Sequence, residues 1–132
     1  MQAYKNNRRL RNFISLPVIW SQLLPLVLAD ICAEIYHRIC FSLYGIDYVK
    51  RSEYIRIDRH KLSYLNWYQK FGCVYCGYAN GLLAYLKEIA GRTEKYWCGI
   101  MHKQGGGFHP QKHQKDFLPY GDEKAFHDFM KK

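Results

Sequence analysis

Cys73 and Cys76 stand two residues apart in GCVYCGYANG, residues 72–81, and thiolates at that spacing can grip one metal ion. Gly77 follows at once, and a glycine there lets the chain turn tightly beneath an ion. Cys98 and His102 form a second pair, C-x3-H, which on a helical turn presents both side chains to the same side. The whole reads C-x2-C-x21-C-x3-H, and Cys73, Cys76, Cys98 and His102 make a Cys3His set suited to tetrahedral zinc. The same ligands could hold an iron–sulfur cluster, although three thiolates with one nitrogen are less usual there. A dithiol at a helix start, its pKa lowered by the helix end, is the redox alternative. The bland reading is buried, reduced cysteine, and it fits Cys32 and Cys40 best.

Geometry sets a condition on the metal reading. If residues 80–98 formed one straight helix it would be about 28 Å long, and Cys76 and Cys98 would sit at opposite ends. A shared ion therefore requires a break, for which Gly91 is the candidate; without one, Cys32 or Cys40 must complete the pair.

Three other constellations carry weaker signals. Glu34-x2-His37 matches the ligand motif of di-iron bundles, but the second motif such a site needs is missing, so Asp30, Glu34 and His37 read as the wet face of a helix. Asp58 and His60 could form an acid–imidazole pair. His109-x3-His113 has ligand spacing in what reads as a surface loop. P-loop, dinucleotide and HExxH signatures are all missing, so nothing specific marks the chain as an enzyme.

The elements that must position these residues read as mainly α: a small helical domain organised around a Cys/His module. Residues 1–12 form a basic, flexible arm, and 13–132 a single helical domain. Within it an amphipathic helix covers about 24–44, the Cys/His module about 62–102 and a polar tail about 103–132. In the first helix Leu24, Leu28, Ile31, Ile35 and Ile39 share one face and Asp30, Glu34, His37 and Arg38 the other, with Gly45 as its left-handed cap. YIRID, 54–58, reads as a short strand or extended loop. Leu62 to Phe71 reads as a short helix with Leu62, Leu65 and Trp67 inward. Asn80 is placed to cap a helix whose face is Leu82, Leu86, Ile89, Thr93 and Trp97, and a last short helix covers about 122–130.

Phe13 to Ala29 holds seventeen residues without a charge, behind a basic start that includes Arg8, Arg9 and Arg11. The run is slightly short for a span and contains Pro17, Ser21, Gln22 and Pro25, so it reads either as a buried core helix or as a segment lying on or partly in a membrane. The net charge of +9 fits an anionic partner: a membrane surface first, possession of a membrane-protein partner beside it, nucleic acid as the weaker alternative. The basic residues are spread along the chain with no recognition module, so a nucleic-acid or adaptor role has little to rest on. Five cysteines, an odd number, favour a reducing compartment, hence a cytoplasmic protein peripheral to the inner face of the membrane.

In combination, DRHKLSYLN (58–66), CVYCGYANG (73–81) and RTEKYWC (92–98) with His102 resemble a family of small uncharacterised bacterial proteins. That resemblance extends to YGI at 44–46 and FLPYGDE at 117–123. This chain has WCGIMH where the family pattern is WCPIKH, which loosens the turn toward the histidine. The resemblance implies that Cys73, Cys76, Cys98 and His102 belong to one module, and it carries no activity.

Overall fold

The structure, a computed structural model, describes residues 9–131. Its regular elements are helices α1 (Arg9–Ser21), α2 (Leu23–Tyr44), α3 (Arg51–Tyr54), α4 (Trp67–Trp97) and α5 (Glu123–Met130), with short 3-10 turns at Arg59–Lys61 and Lys112–Gln114. Extended pairing among the described residues is limited to one parallel bridge, Ile100 with Leu118. The mainly α expectation holds. The chain divides into two compact units whose boundary falls between Leu86 and Lys87, inside α4. Residues 9–12, the end of the expected arm, belong to α1; residues 1–8 lie outside the described residues.

In the first unit, α1 and α2 are separated by Gln22 alone. Pro25 falls in the first turn of α2, where a missing N–H forgoes no helical bond. The expected cap is present: Gly45 is left-handed (φ 66°) and its N–H donates to the Phe41 carbonyl. Phe41, Val49, Ala79, Leu82 and Tyr85 are buried. The buried face of α4 therefore starts earlier than the sequence pattern indicates, while Trp67 and Trp97 are both exposed.

The cysteine–glycine stretch is neither a knuckle nor a helix start. All of it is helical, the interior of α4, and Asn80 donates to the Cys76 carbonyl (3.0 Å) instead of capping. Gly77 and Gly81 serve close approach. A Cβ on Gly77 would meet the Arg56 carbonyl oxygen at 2.9 Å, and one on Gly81 would meet the Tyr54 carbonyl oxygen at 2.7 Å and the Ile55 Cα at 2.8 Å. The segment after α3 thus lies with its main chain against a groove that only these glycines leave open.

In the second unit, the chain after α4 folds back on the helix end. Leu118 N–H donates to the Gly99 carbonyl (2.7 Å) and Met101 N–H to the Leu118 carbonyl (2.8 Å). Ile89, Gln114 and Phe117 are buried. Gly91 does not break α4. It seats a side chain, since a Cβ there would lie 2.9 to 3.1 Å from the His113 ring. The expected last helix is present as α5, and Asp122 caps it by accepting from the Ala125 N–H (2.9 Å).

Candidate functional site

Asp30, Glu34 and His37 of α2 are turned inward, with Arg38 exposed, and its apolar face is outward, the reverse of what a helix on a water-soluble core shows. Leu24 is 79% exposed, Ile35 56% and Leu43 77%, whereas His37, expected to be wet, is 3% exposed. Phe13, Leu28, Ile31 and Ile39 are exposed as well, so the alternative of a buried core helix over 13–29 is not what forms. From Phe13 to Tyr44 the helical stretch is long and apolar enough to cross a membrane, and its most apolar window is wholly unburied.

Burying a polar face is costly unless each group finds a partner. Here α4 and the 48–51 segment supply the partners. The Arg51 guanidinium grips the Asp30 carboxylate through both Nη atoms, Nη2 at 2.6 Å from Oδ2. Tyr78 donates to Asp30 Oδ2 (2.8 Å), and Tyr85 donates to Glu34 Oε2 (2.8 Å). The Val49 N–H donates to His37 Nε2 (3.0 Å), and His37 Nδ1 lies 3.0 Å from the Tyr85 hydroxyl. A backbone N–H can only donate, so Nε2 is the acceptor and the ring's proton sits on Nδ1. The proton order follows: His37 Nδ1–H to Tyr85, and Tyr85 O–H to Glu34. Burial, reinforced by the hydrogen bond to Glu34, pushes the Tyr85 hydroxyl up to about 12. Burial likewise raises Tyr78, and the bond to Asp30 raises Arg51.

The register explains why the parts meet. Asp30, Glu34 and His37 follow at four and three residues, a single helix face, and Tyr78 and Tyr85 are two turns apart on theirs. A recess of about 410 Å³ opens beside this network, lined by Glu34, His37, Arg38, Tyr48, Val49, Arg51 and Tyr85. Both His37 ring nitrogens are engaged and Tyr85 holds its proton tightly, so the network fixes positions and keeps the recess polar.

A second cluster forms within the other unit. His113 Nε2 lies 2.6 Å from Glu94 Oε2, Gln114 Nε2 donates to Glu94 Oε1 (2.9 Å), and His102 Nε2 is 3.8 Å from Oε1. The hydrogen bond from His113, followed by burial opposing it and Gln114 supporting it, holds the Glu94 carboxyl below its usual range.

The sequence-predicted ligands fall in these surroundings unevenly. Cys73 is half-buried and Cys76 exposed, three apart on α4; Cys98 is exposed just past its end, its N–H donating to the Glu94 carbonyl (2.7 Å). His102 faces Glu94 and the Phe108 ring. The reversal at Gly91 on which a joint Cys3His site depended is absent, because α4 runs through it. Among the described residues, no group of three or more His, Cys, Asp or Glu side chains could hold a metal ion, so the Cys/His module is not found as an organiser of the fold. All five cysteines are free thiols. The Asp58–His60 pair does not form, and the buried His60 Nδ1 has no hydrogen-bond partner among the described residues. Sequence reasoning missed Arg51, Tyr78, Tyr85 and Glu94. The usable signals were the tyrosines seven apart and the E-x3-C-x3-H spacing from Glu94 to His102.

Comparison with protein-family models, curated proteins and solved structures gives no match.

Proposed function

We propose that this chain is a membrane-associated helical protein, bedded in the bilayer by the outward apolar faces of α1 and α2 and carrying a polar recess on its inward side. One observation carries the reading: α2 turns Asp30, Glu34 and His37 toward its own unit and leaves Leu24, Leu28, Ile31, Ile35, Ile39 and Leu43 outside, with Arg38 exposed beside them. In water each such side chain forfeits on the order of 1 kcal/mol of burial, whereas lipid receives the whole row. Arg8, Arg9 and Arg11 at the start and the net charge of +9 complement an anionic leaflet, consistent with the inner face of the membrane. The recess would then be the part offered to a soluble ligand or a protein partner.

The test is fractionation of cells expressing the full chain, followed by vesicle flotation. The protein is expected in the membrane fraction through high-salt washing and released by detergent. It should float with vesicles containing phosphatidylglycerol better than with phosphatidylcholine alone. Leu28→Glu with Ile35→Glu should move it to the soluble fraction. A soluble monomer without amphiphile would overturn the reading, and so would a soluble dimer that the same two substitutions dissociate.

A further inference from the structure

We propose that the start of α4 is a headgroup-level anchor: Tyr64, Trp67, Tyr68 and Phe71, with the basic side chains around them, sit in the interfacial layer of an anionic leaflet. The proposal rests on the membrane reading above and names where the first unit meets the headgroups. Trp67, Phe71, Tyr78 and Tyr85 follow at four, seven and seven residues, so they lie within about 40° of one another on one stripe of α4. The later turns of that stripe are occupied, with Tyr78 reaching Asp30 and the buried Tyr85 reaching Glu34. Its first turns lie open, Trp67 at 75% exposure and Phe71 at 59%. Tyr64 and Tyr68 are exposed as well, and the Trp67 ring stands edge-on to Tyr68 and Phe71 at 6.1 and 6.2 Å, which makes one aromatic patch.

Register places the patch. The ties Asp30–Tyr78 and Glu34–Tyr85 advance together along both helices, so α2 and α4 run parallel. Trp67 therefore lies about 17 Å ahead of Tyr78 along α4, toward the end of α2 that α1 joins. Trp20 of α1 meets Tyr75 at 5.4 Å on the way and links the patch to the exposed apolar side chains of α1. Chemistry then fixes the depth. Residues 62–66 are irregular, and irregular backbone facing lipid is excluded from the hydrocarbon. Trp and Tyr, apolar in body and polar at the tip, favour the layer between hydrocarbon and water. Between residues 56 and 71, Arg56, Arg59, Lys61 and Lys70 stand against Asp58 alone, an excess that an anionic leaflet complements. A second copy would bring the same positive excess against itself, which favours lipid over self-association.

The experiment uses the full chain carrying Trp20→Phe and Trp97→Phe, which leaves Trp67 as the single tryptophan, with vesicles of phosphatidylcholine and phosphatidylglycerol. Flotation reports the membrane reading, and Trp67 emission reports the anchor. On binding, emission is expected to shift to shorter wavelength and to lose most of its quenching by acrylamide. Lipids brominated near the headgroup end of the acyl chain should quench it more than lipids brominated near the chain terminus. Lys61→Glu with Lys70→Glu should reduce the shift, while flotation persists through α1 and α2. Should the reporter chain not fold, the emission lost on Trp67→Phe in the otherwise unchanged chain gives the same reading. A chain that floats while Trp67 keeps water-like emission and full acrylamide quenching overturns the anchor alone. A chain that does not float overturns it together with the membrane reading. A dimer in detergent that Trp67→Ala with Phe71→Ala dissociates would assign the patch to a second copy and overturn it too.

Discussion

α4 contributes to both units, and its two parts, before and after Leu86, treat polar side chains in different ways. In the first unit, its Tyr78 and Tyr85 hydroxyls reach Asp30 and Glu34 on another helix, and the Tyr85 hydroxyl also lies against His37. Toward its end, Glu94 gathers two imidazoles and an amide from a folded-back loop, with one imidazole held loosely at 3.8 Å. The first arrangement is closed and rigid. The second is looser, with His102 exposed at its edge. Glycine usage follows the same division: Gly77 and Gly81 admit main chain, while Gly91 admits a ring.

The comparison is broken most severely at Gly81. Gly81→Val drives a branched side chain into the Tyr54 carbonyl and the Ile55 Cα, which cannot swing aside, and should cost about 3 kcal/mol in chemical denaturation of the detergent-solubilised chain. Arg51→Ala comes next. It leaves Asp30 with Tyr78 alone and should cost about 2–3 kcal/mol by the same measurement; Asp30→Asn in that background should recover part of it.

Tyr85→Phe sharpens the contrast between the units. It strips the donor from Glu34 and the acceptor from His37 Nδ1–H, for about 1–2 kcal/mol in the same denaturation measurement. The same residue predicts a pH dependence. Its folded pKa of about 12 lies above the ordinary value of 10, so its contribution is complete below pH 10 and is lost as pH rises from 10 to 12. Tyr85→Phe should flatten that alkaline limb in a stability–pH series.

The smallest expected effect is at the other end of the scale. Glu94 is held below its usual range by His113, so its contribution is present above about pH 4.5 and declines as pH falls through the lowered value. Glu94→Gln should remove this part of the acid dependence, about 1 kcal/mol or less, in a stability–pH series.

Much of the fold was legible where local physics decides it. The 3.6 period marked α2, Gly45 its stop and Asp122 the start of α5, and each signal is satisfied inside a few residues. What periodicity could not give is direction. It separates two faces of α2 without saying which turns inward, and that choice rests on whether Arg51, Tyr78 and Tyr85 arrive from elsewhere to satisfy Asp30, Glu34 and His37. Gly77 and Gly91 misled for a related reason. A glycine reads as a turn or a break when only its freedom is considered, yet in both, as in Gly81, the missing side chain is what the fold uses. Cys73 and Cys76 then lose the tight turn that made them a knuckle, while Glu94 was passed over because its partners lie 8 and 19 residues downstream.

The groove over Gly77 and Gly81 has a consequence for mutational tolerance. What meets the helix there is carbonyl oxygen and Cα, atoms that every amino acid possesses, so the closest contacts are independent of which side chains Tyr54 and Arg56 carry. In a saturation library scored for folding, the two partners of this interface should therefore look unlike each other. Gly77 and Gly81 should reject nearly every replacement, and Arg56, exposed and touching through its backbone, should accept most of them except proline. A contact essential to the fold would leave its record on one side only.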